Sequence, residues 1–139
     1  MKPTYIIIHH SLTSDNRIVS WQAIRKYHLS KGWGDIGYHF GIELINDEYE
    51  ILLGRMIDET GVHTIGMNDK SIGICAVGNF DIETPNQRLL VKLSRLIEAL
   101  VTQLNISKEN IRGHYEYAPK TCPGVNMYPI LKILREMDL

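Results

Sequence analysis

The fold is decided by residues 71–79, SIGICAVGN, an uncharged run of small and aliphatic side chains. Such a run predicts a β-strand at the centre of a sheet, because both of its faces can be buried. Cys75 alternates with Ile74 and Ala76 in this strand, so we interpret this cysteine as inert packing. On both sides of the strand, predicted strands and helices alternate along the chain, which indicates an α/β fold.

Three helices are expected around this strand. Residues 84–87, TPNQ, place Thr84 at an N-cap, proline at the first helical position and glutamine at the third, which predicts a capping box ahead of a long amphipathic helix. Ser20 predicts the N-cap of a helix over residues 21–31. A last helix is expected over about residues 127–137.

Four further strands are expected, over residues 5–9, 38–45, 49–53 and 111–114. The second and third of these are predicted to form a hairpin across the turn at residues 46–48. The predicted architecture is a single α/β domain over residues 1–139, in which a central mixed β-sheet is flanked by about three helices.

Composition limits the classes of partner. The 139-residue chain is 44% hydrophobic and 22% charged, with 15 basic and 16 acidic side chains and a formal charge of −1. This balance argues against nucleic acid as a partner, because phosphate binding needs a basic face. The aliphatic run at residues 6–8 is too short for a signal peptide or a membrane helix. We therefore expect a protein made in the cytosol, without membrane insertion and without a disulfide framework. We also expect it to be a monomer.

Candidate chemistry is concentrated near the end of the chain. His114 follows a predicted strand, and Cys122 lies eight positions later in a loop that Pro119 and Pro123 bend. Imidazole and thiolate are natural ligands of Zn²⁺, and His9, at the end of the first strand, is the best third ligand. Three protein ligands leave one position open, as in catalytic zinc sites. The spacing alone also fits a core histidine and a buried free cysteine.

Four blocks occur in a characteristic order: IIHHS at residues 7–11, GWGDIGYHF at 32–40, SIGI at 71–74 and APKTCP at 118–123. Together they resemble the zinc-dependent N-acetylmuramoyl-L-alanine amidase family, which includes small phage endolysins and peptidoglycan recognition proteins. The resemblance spans nearly the whole chain and implies the fold of that family.

The resemblance implies one zinc ion per chain, held by His9, His114 and Cys122, with Tyr38 and Lys120 as catalytic residues. Many relatives have aspartate in place of Cys122, in a loop two residues longer, and the short cysteine version is similar to the endolysins and the animal recognition-protein amidases. Recognition proteins that only bind cell-wall fragments usually lack this cysteine, so its presence favours an enzyme.

The implied reaction is hydrolysis of the amide bond between N-acetylmuramic acid and L-alanine in bacterial peptidoglycan. Zinc would activate water and polarise the amide carbonyl, and Lys120 would stabilise the oxyanion. Tyr38 would orient the water or pass a proton to the leaving amine. The resemblance favours a phage or prophage endolysin, made in the cytosol and acting on the cell wall. A cytosolic enzyme that recycles wall fragments would use the same chemistry.

Two residues are candidates for substrate contact. Trp33 is expected to line the groove as a surface on which a sugar can stack, with a partly structural role as the alternative. His63 is expected at the rim of the cleft, either in contact with substrate or as plain surface.

Four other polar residues have alternative roles. His10 and His39 should point away from the site, because side chains alternate along a strand. His28, on the inward face of the first helix with Trp21, is interpreted as a hydrogen-bonded core residue. Glu116 is expected either to orient a metal ligand or to cap a turn.

Two other functions compete with the amidase. One is a peptidoglycan-binding module without catalysis, which needs the groove but not the full metal site. The other is a cysteine hydrolase with Cys122 as nucleophile and His114 as base. Pro123 counts against the second, because it denies the adjacent backbone N–H to an oxyanion hole.

Overall fold

A computed structural model describes residues 1–12 and 20–138 of the chain. Its sheet contains strands β1 (Tyr5–His10), β2 (Phe40–Ile45), β3 (Glu48–Leu53), β4 (Ser71–Ala76) and β5 (Ile111–Gly113). The strand order is β3-β2-β4-β1-β5, with the β2–β3 pair antiparallel and the other pairs parallel. The predicted mixed sheet is confirmed, and β4 lies at its centre with all six residues buried.

The hairpin between β2 and β3 is tighter than predicted. Asn46 and Asp47 both have positive φ values, 49° and 68°, so they form a two-residue turn in which Glu48 already pairs with Ile45. Asparagine and aspartate tolerate this conformation better than other non-glycine residues, and such turns match the twist of a hairpin. Strand β2 begins at Phe40, so Tyr38 lies in the segment before it and not in the strand.

Three α-helices occur in the described part of the chain: α1 (Trp21–Ser30), α2 (Gln87–Leu104) and α3 (Tyr128–Glu136). The Ser20 side chain accepts a hydrogen bond from Ala23 N, which confirms the predicted cap of α1. The prediction of a capping box that begins at Thr84 was wrong. Asn86 caps α2 by accepting from Arg88 N, since its amide oxygen satisfies the free N–H of the first turn and the helix begins after it.

The two faces of the sheet carry different cores. Helices α2 and α3 cover one face with the main apolar cluster, which includes Ile6, Ile8 and Leu93. Helix α1 covers the other face with a smaller cluster built around Trp21 and Cys75. Because side chains alternate along β1, His9 faces the α1 side. None of the described helices is long and apolar enough to cross a membrane.

Candidate metal centre

The parallel strands place two histidines side by side at one edge of the sheet. Strand β1 pairs with β5 in a register that aligns Ile8 with Gly113, so His9 and His114 follow as the next neighbours. Their ring centroids are 4.7 Å apart. The carboxyl ends of parallel strands commonly carry functional groups, because neighbouring strands end at the same edge.

Cys122 completes a cluster of three potential ligands. Its Sγ lies 3.7 Å from His9 Nδ1, and the ligating atoms of His9, His114 and Cys122 all lie within 4.8 Å of one another. Two imidazole nitrogens and one sulfur are a donor set that suits Zn²⁺, and three protein ligands leave a fourth tetrahedral position open. The three residues that were predicted as ligands from the sequence therefore lie together, in an arrangement that fits Zn²⁺.

The loop that carries Cys122 is tied to the end of the sheet by a carboxylate. Asp81 accepts from Thr121 Oγ1 at 2.6 Å through Oδ2 and from Val125 N at 2.9 Å through Oδ1. These two bonds bracket Cys122. The Cys122 carbonyl also accepts from Tyr115 N at 2.7 Å. The position of the sulfur thus depends on contacts formed on both sides of the cysteine.

The turn that carries His114 is held by Glu116. One carboxylate oxygen accepts from Gly113 N and from Arg135, each at 2.8 Å, and the other accepts from Arg112 at 2.9 Å. Glu116 therefore caps the turn that begins at His114, which confirms the second of its two predicted roles.

Burial keeps the two histidine rings of the cluster neutral. It lowers the pKa of His9 well below the ordinary value, and the neighbouring His63 and His114 act in the same direction. Burial also lowers the pKa of His114 to about 4, with Lys120 as the next cause. Neutral imidazoles offer free lone pairs at neutral pH, as metal binding requires. Burial raises the pKa of the Cys122 thiol to about 12, and a bound cation reverses this preference by taking the thiolate as a ligand.

Tyr38 and Lys120 lie beside the cluster. The ring centroid of Tyr38 is 5.0 Å from that of His9 and 6.2 Å from that of Trp21. Burial raises the pKa of Tyr38 well above the ordinary value, and the nearby thiols of Cys75 and Cys122 add to the effect. Lys120 is exposed, two residues before Cys122 on the same loop, and after burial its charge is the next cause of the lowered pKa of His114.

The two candidate substrate contacts have different surroundings. Trp33 is half-buried, with its ring centroid 4.5 Å from that of His28 and the Lys31 Nζ 5.0 Å from its ring. His63 was expected at the rim, but its Nδ1 lies 2.9 Å from His9 Nε2. His63 is half-buried and in contact with His9, so the plain-surface alternative was wrong, and burial lowers the pKa of its ring to about 3.

The remaining histidines have structural partners, as predicted. His28 Nδ1 accepts from Gly37 N at 2.8 Å, and His10 Nδ1 accepts from Phe80 N at 3.2 Å. The ring of His39 is used at both nitrogens, since Nδ1 accepts from Gly73 N and Nε2 donates to Glu59 O.

Sequence reasoning missed three residues that shape the site. Asp81 lies 40 positions before Thr121, so nothing local links the two. Gly73 leaves space for the His63 ring, which a Cβ would approach to 2.7 Å. Asn68 accepts from the backbone N–H of His63. A polar residue soon after His63 in a loop was a weak indication of the last contact.

Comparisons of the sequence with known proteins find an amidase family and phage endolysins. The sequence model of N-acetylmuramoyl-L-alanine amidase matches residues 1–125. The endolysin of Escherichia phage T7 is 35% identical over 130 residues, which is 88% of this chain and 81% of that protein. The endolysin of Klebsiella phage KP32 is 30% identical over 125 residues, with the same two coverages, 88% and 81%.

Solved structures agree. The N-acetylmuramoyl-L-alanine amidase LysC from Clostridium intestinale URNW superposes with a TM-score of 0.84 at 28% identity, covering 99% of this chain and 87% of that one. Wild-type Drosophila PGRP-LB gives a TM-score of 0.80 at 30% identity, covering 95% and 81%. With the ligand cluster, the mixed sheet and the match over residues 1–125 in agreement, the chain belongs to the N-acetylmuramoyl-L-alanine amidase family.

Proposed function

We propose that this amidase hydrolyses the bond between N-acetylmuramic acid and L-alanine in peptidoglycan by using one zinc ion held by His9, His114 and Cys122. The observation that carries the proposal is the approach of three ligating atoms to within 4.8 Å at the carboxyl edge of the sheet. When bound, zinc supplies a water of lowered pKa and a Lewis acid that polarises the amide carbonyl.

Contacts within the protein hold the three ligand residues in place independently of the metal. The register of β1 and β5 places His9 and His114 together, and the Asp81 contacts hold the loop that carries Cys122. Because the rings of His9 and His114 are neutral, these two histidines can bind a cation without first losing a proton. Ligands held in this way need little rearrangement on binding.

In this proposal Tyr38 acts as a hydrogen-bond donor. Its raised pKa keeps the proton on the hydroxyl at neutral pH, so it does not serve as a base. Its ring packs against His9 and Trp21, and its hydroxyl lies near the thiols of Cys75 and Cys122, beside the proposed metal site. A donor at that place orients the attacking water or supplies a proton to the leaving nitrogen of L-alanine.

Lys120 supplies positive charge where negative charge develops. It lies on the same loop as Cys122, and its charge already acts on both His9 and His114. We assign it to the oxygen of the scissile carbonyl, which becomes negative during attack. Its exposure leaves the ammonium free to move to a bound substrate.

Substrate contact is proposed for Trp33. Its half-buried ring suits stacking against a sugar or peptide. We further propose that the protein is an endolysin of a phage or prophage and that it acts on the cell wall as a monomer. The proposed function involves no nucleic acid and no membrane insertion. The formal charge of −1 agrees with the first of these, because phosphate binding needs a basic face.

The test is lysis of purified peptidoglycan, followed by turbidity. Protein as purified should clear the suspension, protein stripped with a chelator should not, and addition of zinc should restore clearing while magnesium should not. Activity that survives complete removal of metal, but is blocked by iodoacetamide, would instead favour a cysteine hydrolase. Binding without the release of new amines would favour a binding module.

A further inference from the structure

His63 fills a space that two glycines leave open against β4. A Cβ on Gly73 would lie 2.7 Å from His63 Cγ, and one on Gly61 would lie 2.8 Å from its Cδ2. Gly73 pairs with Ile7 of β1, two residues before His9, so the ring is directed towards His9 along the same face of the sheet. The imidazole therefore fills a space next to the ligand cluster that the two glycines leave open.

The two nitrogens of His9 have different neighbours. Nδ1 lies 3.7 Å from Cys122 Sγ, on the side of the ligand cluster. Nε2 points the other way and lies 2.9 Å from His63 Nδ1. Thr64 Oγ1 is also close, at 3.3 Å from His9 Nε2 and 3.0 Å from His63 Nδ1. His9 can bind a metal through Nδ1 while its second nitrogen stays hydrogen-bonded.

These contacts allow one ordered arrangement of protons. A nitrogen that binds a metal carries no proton, so His9 ligating through Nδ1 carries its proton on Nε2 and donates it to His63 Nδ1. The proton of His63 then lies on Nε2, which is 3.4 Å from Ser71 Oγ. The Ser71 hydroxyl donates in turn to the Met67 carbonyl at 2.6 Å. The series ends on a backbone acceptor, which gives every step a fixed direction.

The loop that carries His63 is held as well as its ring. Asn68 Oδ1 accepts from His63 N at 2.8 Å and from Thr64 N at 2.7 Å, so the backbone beside the ring cannot turn freely. A ring held at its backbone, its flank and its far nitrogen can fix the orientation of a neighbour.

We propose that His63 is a positioning residue, which fixes the tautomer and the ring orientation of His9 so that Nδ1 faces the metal. The inference rests on the proposed zinc centre, and it assigns His63 to the protein side of the site instead of to substrate contact. A metal-binding histidine commonly donates its other N–H to such a partner, and loss of the partner typically weakens metal binding by about 10- to 100-fold.

The test compares the zinc affinity of wild type, His63→Ala and His63→Asn, measured by competition with a chelating dye. His63→Ala should bind zinc about 10- to 100-fold more weakly. The asparagine variant keeps an acceptor oxygen near the position of Nδ1, so it should recover most of the affinity. Gly73→Ala, which leaves the imidazole in the chain but removes its space, should weaken zinc binding in the same direction as His63→Ala.

The outcomes separate the inference from the zinc centre on which it rests. Absence of zinc from the wild type would overturn both, whereas tight binding in wild type and in His63→Ala alike would overturn the positioning role alone. A raised KM in His63→Ala with unchanged zinc affinity would also overturn it, because it would mark a substrate contact.

A second measurement holds even where a variant fails to fold. Long-range ¹H–¹⁵N spectra of wild type, with and without zinc, should show the proton on Nε2 of both His9 and His63. A proton on Nδ1 of either ring would overturn the inference.

Discussion

His9 and His114 lie with their ring centroids 4.7 Å apart because two neighbouring parallel strands end at the same level of the sheet. The residues are 105 positions apart in the chain, yet the register of β1 against β5 makes them adjacent. Cys122 reaches them from a loop that two hydrogen bonds to Asp81 hold in place. The proposed metal site is thus a product of sheet topology first and of loop anchoring second.

Cys122→Ser should remove both bound zinc and activity. A neutral hydroxyl is a poor substitute for thiolate as a zinc ligand, so the affinity falls and the amidase reaction falls to background. Metal analysis and amide cleavage on purified peptidoglycan check this. Cys75→Ala is the matched control, because Cys75 is outside the ligand cluster and its variant should keep one zinc ion per chain. Full zinc content in Cys122→Ser would contradict the assignment.

Lys120→Ala should slow the chemical step and leave the fold intact. Loss of a group that stabilises an oxyanion typically lowers kcat by about 10²- to 10³-fold. Because Lys120 is exposed, the free energy of unfolding should change little. Lys120→Arg should retain part of the rate, and Lys132→Ala, which removes an exposed positive charge elsewhere, should retain all of it. An unchanged kcat in Lys120→Ala would remove this residue from the mechanism.

Asp81→Ala should loosen the loop that presents Cys122. It removes the acceptors of Thr121 Oγ1 and Val125 N, at a cost of about 1 kcal/mol to the free energy of unfolding at a partly exposed position. Zinc affinity should fall, although Asp81 is not itself a ligand. Glu83→Ala makes the same change of charge at an exposed residue nearby, and it should leave zinc affinity unchanged. Equal zinc affinities for the two variants would argue against the anchoring role.

Stability should decrease as the pH falls, in part through His28. Burial lowers its pKa to about 4 from the ordinary 6.5, and the charges of Lys31 and Arg55 act in the same direction. Between these values the unfolded chain binds more protons than the folded one. The contribution of His28 is therefore fully present above pH 6.5 and is lost as the pH falls towards 4.

The His28→Asn variant tests this contribution. Asparagine can accept from Gly37 N but does not titrate, so the variant should lose less stability than wild type between about pH 7 and about pH 4.5. Urea midpoints at the two pH values measure the difference. An identical decrease in both proteins would mean that His28 does not contribute to the pH dependence.

Features that depend on local sequence were predictable. The uncharged run in β4, the Ser20 cap and the positions of His9 and His114 at strand ends all follow from short patterns, and the structure has each of them. The start of α2 was misplaced by two residues, because Thr84 and Asn86 are both competent caps and only the fold selects between them.

Features that depend on register could not be predicted from one sequence. The contact between His63 and His9 requires Gly73 to lie opposite Ile7, and the anchoring of the Cys122 loop requires Asp81 to meet Thr121 across 40 positions. Neither pairing leaves a local pattern in the chain, since both arise when distant segments pack together.

The most direct test of the central claim identifies the chain ends that the protein creates in purified peptidoglycan. We predict new amino-terminal L-alanine, found by amine labelling and mass spectrometry, with no new reducing sugar ends. The release should stop when a chelator removes zinc and resume when zinc returns. New reducing ends in place of L-alanine, or release of L-alanine that persists in protein fully stripped of zinc, would contradict the account.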